Sequence, residues 1–217
     1  MKTITNTIPI EEIFSDVTLI GQTPDLIMQA QLPDKIFDEV KSWIKPCRAV
    51  KDDEYRELLN HHNVGTDHNS YQTAIPKNLI DNSFFLGYVL HFAELYVKST
   101  KHDPRNAEVM PRRCHMRNYP GHFDGYDIWM NFTYQGDDNP LHNHAGDLSS
   151  IIYVKDQDCQ PTIFPSANYT HEPKEGEMLI FPAHLQHEVK MKLTESERIS
   201  VSYNLNLQLF SNNTGGY

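Results

Sequence analysis

Cysteine is scarce. Cys47, Cys114 and Cys159 are three in 217 residues, odd in number and far apart, which argues against a secreted disulfide framework and for a reduced, cytoplasmic setting. Basic side chains are in deficit, 19 Lys and Arg against 29 Asp and Glu, for a formal net charge of −10. Such a surface repels phosphate backbones and anionic lipid, so nucleic acid is not the expected partner, a local pair such as Arg112 and Arg113 notwithstanding. Long hydrophobic runs are missing: the longest, such as Ser150 to Val154 and Met178 to Pro182, fall far short of the roughly 20 residues that cross a bilayer. The opening MKTITNTIPIEEIFSD has no continuous apolar stretch and carries early acids, unlike a signal peptide. Repeats, low-complexity tracts and obvious linkers are also lacking, which leaves a single domain over residues 1–217 as the expectation.

Periodicity divides this domain. Between Pro33 and Trp43, Ile36, Phe37, Val40 and Trp43 recur at three- and four-residue steps, and Pro46 ends the pattern. From about Asn78 to Val97, Leu79, Ile80, Leu86, Val89, Leu90, Phe92, Leu95 and Tyr96 draw a wide apolar stripe, which predicts a buried packing helix. After about residue 105 short β-like runs take over, near Asp127–Tyr134, Leu141–His144, Ser150–Val154, Thr162–Phe164, Glu177–Phe181, His187–Met191 and Arg198–Leu207. Turn signals stand between them at QGDDNP, HAGD, KDQD and EPKEG. The fold expected is mainly β, a sandwich or jelly roll over 106–217 buttressed by a helical support region over 1–105.

What the chain has in abundance is histidine, twelve in all. Most histidines are surface or hydrogen-bonded side chains, and a His-x-His pair alone is a weak signal among so many. The pair His142 and His144 has better surroundings. Residues i and i+2 of a strand project from one face, and His187 lies 45 positions on, just after a predicted strand. Two imidazoles from one strand and one from a distant strand suit a divalent transition metal, and three protein ligands leave positions open. Gly136 precedes His142 by six residues, and Gly176 precedes Pro182 by six and His187 by eleven. These spacings fit the double-stranded β-helix and resemble the cupin pattern. The cupin glutamate is absent, with Leu148 and Ser149 in its place and Asp147 the nearest acid.

Eleven positions after His187 stands Arg198, opening RISVSYNL. Arg198, Ser200, Ser202 and Asn204 face one way, and Ile199, Val201, Tyr203 and Leu205 the other. A buried polar face needs a charged or hydrogen-bonding visitor. A guanidinium is the natural fork for a carboxylate, and the serine two residues on adds a donor. An edge strand with a solvent-facing arginine is the plainer alternative.

The phrases DIWMNFTYQGDDNPLHNHAGDLSSIIYV, PKEGEMLIFPAHLQHEV and ERISVSYNL together resemble the iron(II)- and 2-oxoglutarate-dependent oxygenases, and within them a family of 2-oxoglutarate/iron oxygenases common in marine bacteria and their phages. The resemblance covers about 80 residues, Asp127 to Leu205. It implies a double-stranded β-helix core, Fe(II) and 2-oxoglutarate as cofactors, His142 and His187 as metal ligands, and Arg198 with Ser200 on the far carboxylate of 2-oxoglutarate. His144 stands where the wider superfamily has an acid. Either three imidazoles complete the set, or Asp147 folds back across the Ala-Gly turn as the third ligand. Asn131, eleven residues before His142, has the spacing of a cosubstrate-binding asparagine in part of the superfamily, and a ladder or cap role is open to it as well. The activity implied is a dioxygenase that hydroxylates a C–H bond of an amino acid, a peptidyl residue such as proline, or another small metabolite, with release of succinate and carbon dioxide.

Two readings compete with it: a cupin-type metal dioxygenase or isomerase that does not use 2-oxoglutarate, and a non-catalytic jelly-roll binding module. Lys101 to Gly125, rich in Arg, His, Asn and Pro, reads as a loop over the barrel mouth. Substrate loops vary freely on a fixed scaffold, so substrate identity is not legible.

Overall fold

Residues 17–21, 25–49, 71–100, 113–118, 125–156 and 160–208 are described by a computed structural model. Strands β1 (Thr18–Ile20) and β2 (Ile27–Gln31) lead into helices α1 (Asp34–Ser42) and α2 (Ile44–Ala49), and β3 (Tyr71–Ala74) leads into α3 (Lys77–Asp81) and α4 (Phe84–Thr100). Nine strands follow: β4 (Arg113–Met116), β5 (Ile128–Thr133), β6 (Asn139–His142), β7 (Leu148–Asp156), β8 (Thr162–Phe164), β9 (Tyr169–His171), β10 (Glu177–Pro182), β11 (His187–Val189) and β12 (Arg198–Gln208).

Local chemistry sets the helix ends. The Pro33 carbonyl accepts the Ile36 and Phe37 N–H groups at the start of α1, where Asp34 complements the helix dipole. Pro46 does not end the helical pattern as expected. It occupies the first turn of α2, where a missing N–H breaks no intrahelical bond. The single helix expected over 78–97 is divided at Asn82 and Ser83. Ser83 Oγ accepts the Leu86 N–H at 3.3 Å, and the Glu39 carboxylate of α1 accepts the Phe84 and Phe85 N–H groups at 3.2 and 2.9 Å. The start of α4 is thereby capped and tied to α1.

The strands form two antiparallel sheets. The larger has eight, in the order β1-β2-β10-β7-β12-β5-β3 with β4 also on β12, and the smaller has four, β6-β11-β8-β9. All seven expected strands are present; β6 begins and ends two residues early, at Asn139–His142, and β11 stops at Val189. The region expected to be helical support also supplies β1, β2 and β3 to the larger sheet. These runs are short, three to five residues, too brief for alternation to stand out.

Parity in the larger sheet sorts side chains into two layers. Ile128, Met130, Phe132, Ile152, Val154, Met178, Ile180, Ile199, Val201, Tyr203 and Leu205 join a core with Ile36, Val40, Phe85, Val89, Phe92 and Tyr96 of the helices. From the other face of the same sheet, Ile27, Ile151, Tyr153, Leu179 and Phe181 meet Phe164 of the smaller sheet and Leu185 in a second cluster. The space between the two sheets is a jelly-roll interior, with the candidate site inside it.

Candidate metal centre

The smaller sheet brings two of the histidines together. β6 and β11 are antiparallel neighbours, and His142 stands directly opposite His187, with ring centroids 4.3 Å apart. His144 lies two residues past the end of β6, outside the strand the i, i+2 argument assumed. Its N–H bonds instead to the Ala183 carbonyl at 2.9 Å, which holds it over the same point. One nitrogen from each of the three rings falls within 4.8 Å of the others, and His144 Nε2 lies 3.3 Å from His187 Nε2.

Two main-chain carbonyls orient the rings. His142 Nδ1 donates to Pro140 O at 2.7 Å and His187 Nδ1 to Leu185 O at 3.2 Å, so both Nε2 atoms carry lone pairs toward the cluster. Burial keeps the imidazoles neutral. It lowers His142, lowers His144 well below 6.5 with help from its two neighbours, and takes His187 down to about 3 with help from His142. Phe164 and Phe181 pack on the His187 ring at 5.5 and 5.0 Å, and Trp129 on His144 at 5.6 Å.

Facing the triad is the polar side of β12. Arg198, Ser200, Ser202 and Asn204 all line a cavity of about 280 Å³ with the three histidines, while Ile199, Val201, Tyr203 and Leu205 point into the helix-side core, as their alternation predicts. Arg198 is only 5% exposed, so it is not an edge-strand arginine in solvent, and its guanidinium lies 5.6 Å over the Tyr153 ring. Asn131 lines the cavity too. Its Oδ1 accepts Trp129 Nε1–H at 3.0 Å, and its Nδ2 donates to Ser200 Oγ and Ser202 Oγ at 3.2 Å each; it ties β5 to β12.

Asp147 stands apart from the triad. Its carboxylate accepts the Leu207 N–H at 2.7 Å, and the cluster of possible metal ligands among the described residues holds His142, His144 and His187 without it. Of the loop expected over Lys101 to Gly125, residues 101–112 and 119–124 lie outside the described residues, while Arg113–Met116 is not loop but strand β4.

Three residues of the cavity wall escaped the sequence argument as a group. Arg117, Asp127 and Asn204 meet at its far end, joined by Arg117 Nη1 to Asp127 Oδ2 and Asn204 Nδ2 to Asp127 Oδ2, both 2.9 Å. Asn204 was visible through β12 parity; nothing in spacing pairs Arg117 with Asp127.

Residues 161–204 match the profile of a family described as "Putative 2OG-Fe(II) oxygenase", a span that holds His187, Arg198 and Ser200. No curated protein matches the chain. Among solved structures, the viral collagen prolyl hydroxylase vCPH of Paramecium Bursaria Chlorella virus-1, in its 2OG complex, is similar over 82% of this chain and 94% of its own, with a TM-score of 0.51 and 13% identity. A Pseudomonas putida prolyl-4-hydroxylase aligns over 83% and 91%, at a TM-score of 0.46 and 14% identity. A Burkholderia pseudomallei oxidoreductase of the 2OG-Fe(II) oxygenase family aligns over 82% and 84%, at 0.46 and 12%. The likeness to the viral enzyme is one of fold.

Proposed function

We propose that this chain is an iron(II)- and 2-oxoglutarate-dependent dioxygenase, with Fe(II) and 2-oxoglutarate as cofactors, that hydroxylates a C–H bond of an amino acid, a peptidyl residue such as proline, or a small metabolite; the match of residues 161–204 to an oxygenase family and the likeness of fold to the viral enzyme support the reading. The observation that carries the reading is the triad of neutral imidazoles facing the polar side of a strand that begins with a buried arginine. The donor set fits the metal. Imidazole nitrogens bound side by side to one first-row ion at about 2.1 Å sit about 3 Å apart; the His144 and His187 Nε2 atoms are 3.3 Å apart, and all three ligand nitrogens lie within 4.8 Å of one another, so the set closes on an ion by a small inward shift of the rings.

In this reading His142, His144 and His187 hold iron, and Asp147 serves the Leu207 main chain instead. Arg198 grips the distal carboxylate of 2-oxoglutarate, bidentate geometry being what a guanidinium offers, and the Ser200 hydroxyl adds a donor from the same face. Asn131 holds Ser200 in place through its amide. Iron, when bound, would let dioxygen act as the oxidant: one of its oxygen atoms would enter succinate as 2-oxoglutarate loses carbon dioxide, and the other would enter the C–H bond of the substrate as the hydroxyl. Trp129, Phe164 and Phe181 keep water from the triad. The whole chain acts as one domain, and the buried free thiols of Cys47 and Cys114 suit a reducing cytoplasm. Among the described residues no helix is long and apolar enough to cross a membrane.

The test is 2-oxoglutarate-dependent succinate release with added Fe(II), beside metal analysis of protein purified without a histidine tag. Arg198→Ala is expected to bind iron as wild type does while its KM for 2-oxoglutarate rises about 10- to 100-fold, the worth of a charge-assisted hydrogen bond or two. Unchanged 2-oxoglutarate turnover in this variant removes Arg198 from the cosubstrate site, and metal binding by the wild type with no succinate release on any substrate leaves metal chemistry without 2-oxoglutarate. Failure of the wild type to bind any divalent metal leaves a binding module.

A further inference from the structure

The cavity has two polar ends, and the proposed chemistry uses one. Along β12 the cavity-facing side chains run from Arg198 through Ser200 and Ser202 to Asn204, a span of about 20 Å at the rise of a strand. The triad stands between the ends: Trp129, which packs on His144, is the cross-strand partner of Ser202. A cosubstrate reaching from the iron to Arg198 leaves the Asn204 end for the molecule to be oxidised.

That end is chemically specific. Asn204 is 3% exposed. Its Nδ2 is committed to Asp127, which fixes its orientation, and its Oδ1 has no hydrogen-bond partner among the described residues. A buried acceptor without a donor is costly, and a ligand's N–H or O–H removes the penalty. Directly across on β7, the buried Ser149 hydroxyl also lacks a partner among the described residues. Beside Asn204, the Arg117 side chain makes one hydrogen bond among the described residues, from Nη1 to the same Asp127 oxygen. It is 24% exposed and lines the cavity with donors left over from the five a guanidinium carries. Behind these side chains the main chain closes a triangle, Arg117 N to Asn204 O, Asp127 N to Arg117 O and Asn204 N to Asp127 O. Three segments of main chain thus hold the polar groups of this end together.

An acceptor and a fork of cationic donors share one carboxylate, and Arg117 and Asp127 already balance each other's charge. A ligand bringing an ammonium and a carboxylate together meets both groups and adds no net charge. We propose that Arg117 and Asn204 bind the head group of a free α-amino acid, its carboxylate on Arg117 and its ammonium on Asn204 Oδ1, and that the side chain then extends toward the triad to be oxidised. This deepens the oxygenase reading and rests on it for the reaction, though not for the binding.

The experiment is calorimetric titration of the full-length protein with the L-amino acids, and of the best binder with its carboxamide and N-acetyl forms. One or more free amino acids are expected to bind, the capped forms about 10- to 100-fold more weakly, as charge-assisted hydrogen bonds are lost. Arg117→Gln should erase the preference for acid over amide, and Arg117→Lys, which keeps the charge without the fork, should restore part of it. A purely structural Arg117 would weaken acid and amide alike, and a preference that survives in Arg117→Gln overturns the proposal. If Arg117→Gln does not fold, an equal affinity of wild type for acid and amide overturns it too, as does the absence of any amino-acid binder. Succinate release by wild type separates the two claims: turnover of 2-oxoglutarate without amino-acid binding leaves the oxygenase reading standing alone, and Arg117-dependent binding without turnover leaves the head-group site standing alone.

Discussion

The two faces of the larger sheet are built from the same strands and contain different chemistry. Toward the helices, alternate residues of β5, β7, β10 and β12 meet aromatic and aliphatic side chains of α1 and α4, and the titratable groups among them are cysteines and tyrosines. Toward the smaller sheet, the next residues along those strands meet a smaller apolar cluster and a collection of histidines, with Arg198 and Glu177 buried beside them. The difference teaches how a strand can serve stability and chemistry together: parity assigns the tasks to opposite faces, so a change on one need not disturb the other. The chain's two tryptophans report on the two faces separately. Trp43 is in the helix-side core and Trp129 is beside His144.

The largest expected effect is on the helix side. Phe85 is fully buried, edge-on to Trp43 at 5.0 Å and to Tyr203 at 5.9 Å. Phe85→Ala should cost about 3–5 kcal/mol in denaturant unfolding, while the protein that remains folded binds metal with unchanged affinity. Across the sheet, His144→Ala should lower the affinity for a divalent metal by about 100-fold or more, beyond what loss of a supporting contact does. The metal-free stability of that variant should move by less than about 1 kcal/mol; a larger loss would show that the triad also holds the barrel together and would break the division of labour.

The smallest and sharpest effect is in pH. Burial lowers His171 to about 4, with Lys174 and Arg198 adding to it. The ring stacks on Tyr153 at 5.2 Å, with Tyr169 Oη 2.9 Å from Nδ1 and a Glu177 oxygen 3.1 Å from Nε2. The unfolded chain takes protons below about 6.5 that this face refuses, so stability is whole above that pH and falls as acid approaches 4. On the helix side burial pushes the Cys47 and Cys114 thiols from 9.0 up to about 12, so their contribution is whole below 9 and is lost as pH climbs toward 12. Metal-free single-tryptophan variants should show Trp129 emission shifting first in acid and Trp43 emission shifting first in alkali. Coincident transitions for both probes would show that the two faces unfold as one unit.

Much of this was legible in the chain, for identifiable reasons. β12 alternates without a break for eight residues, so its polar and apolar faces could be assigned from parity alone. Gly136 and Gly176 adopt positive φ, 90° and 82°, and their spacing from His142 and His187 marked two equivalent modules; at Gly176 a Cβ would strike the Gln31 side chain. The failures are equally physical. Asp81, Asn82 and Ser83 interrupt the apolar residues, but the stripe resumes at Phe84 and reads as one helix; the break is fixed by Ser83 and by capping from Glu39, distant in sequence. β1, β2 and β3 owe their existence to β10 and β5, not to their own propensity. His144 lies over the triad because of a bond to Ala183, and Asp147 is drawn off by Leu207; both are tertiary facts that spacing does not contain.

β12 is flanked by β7 on one edge and by β5 and β4 on the other, yet it is the last of the described strands to be synthesised. Until it emerges, β5 and β7 wait with bare edges that could pair with another chain. The two halves of the larger sheet are joined only when this strand inserts between them, a long-range closure of the kind that slows folding. Arg198, Ser200, Ser202 and Asn204 arrive on that strand, so a partly assembled barrel has only part of its cavity wall, and the cavity is complete only when the fold is.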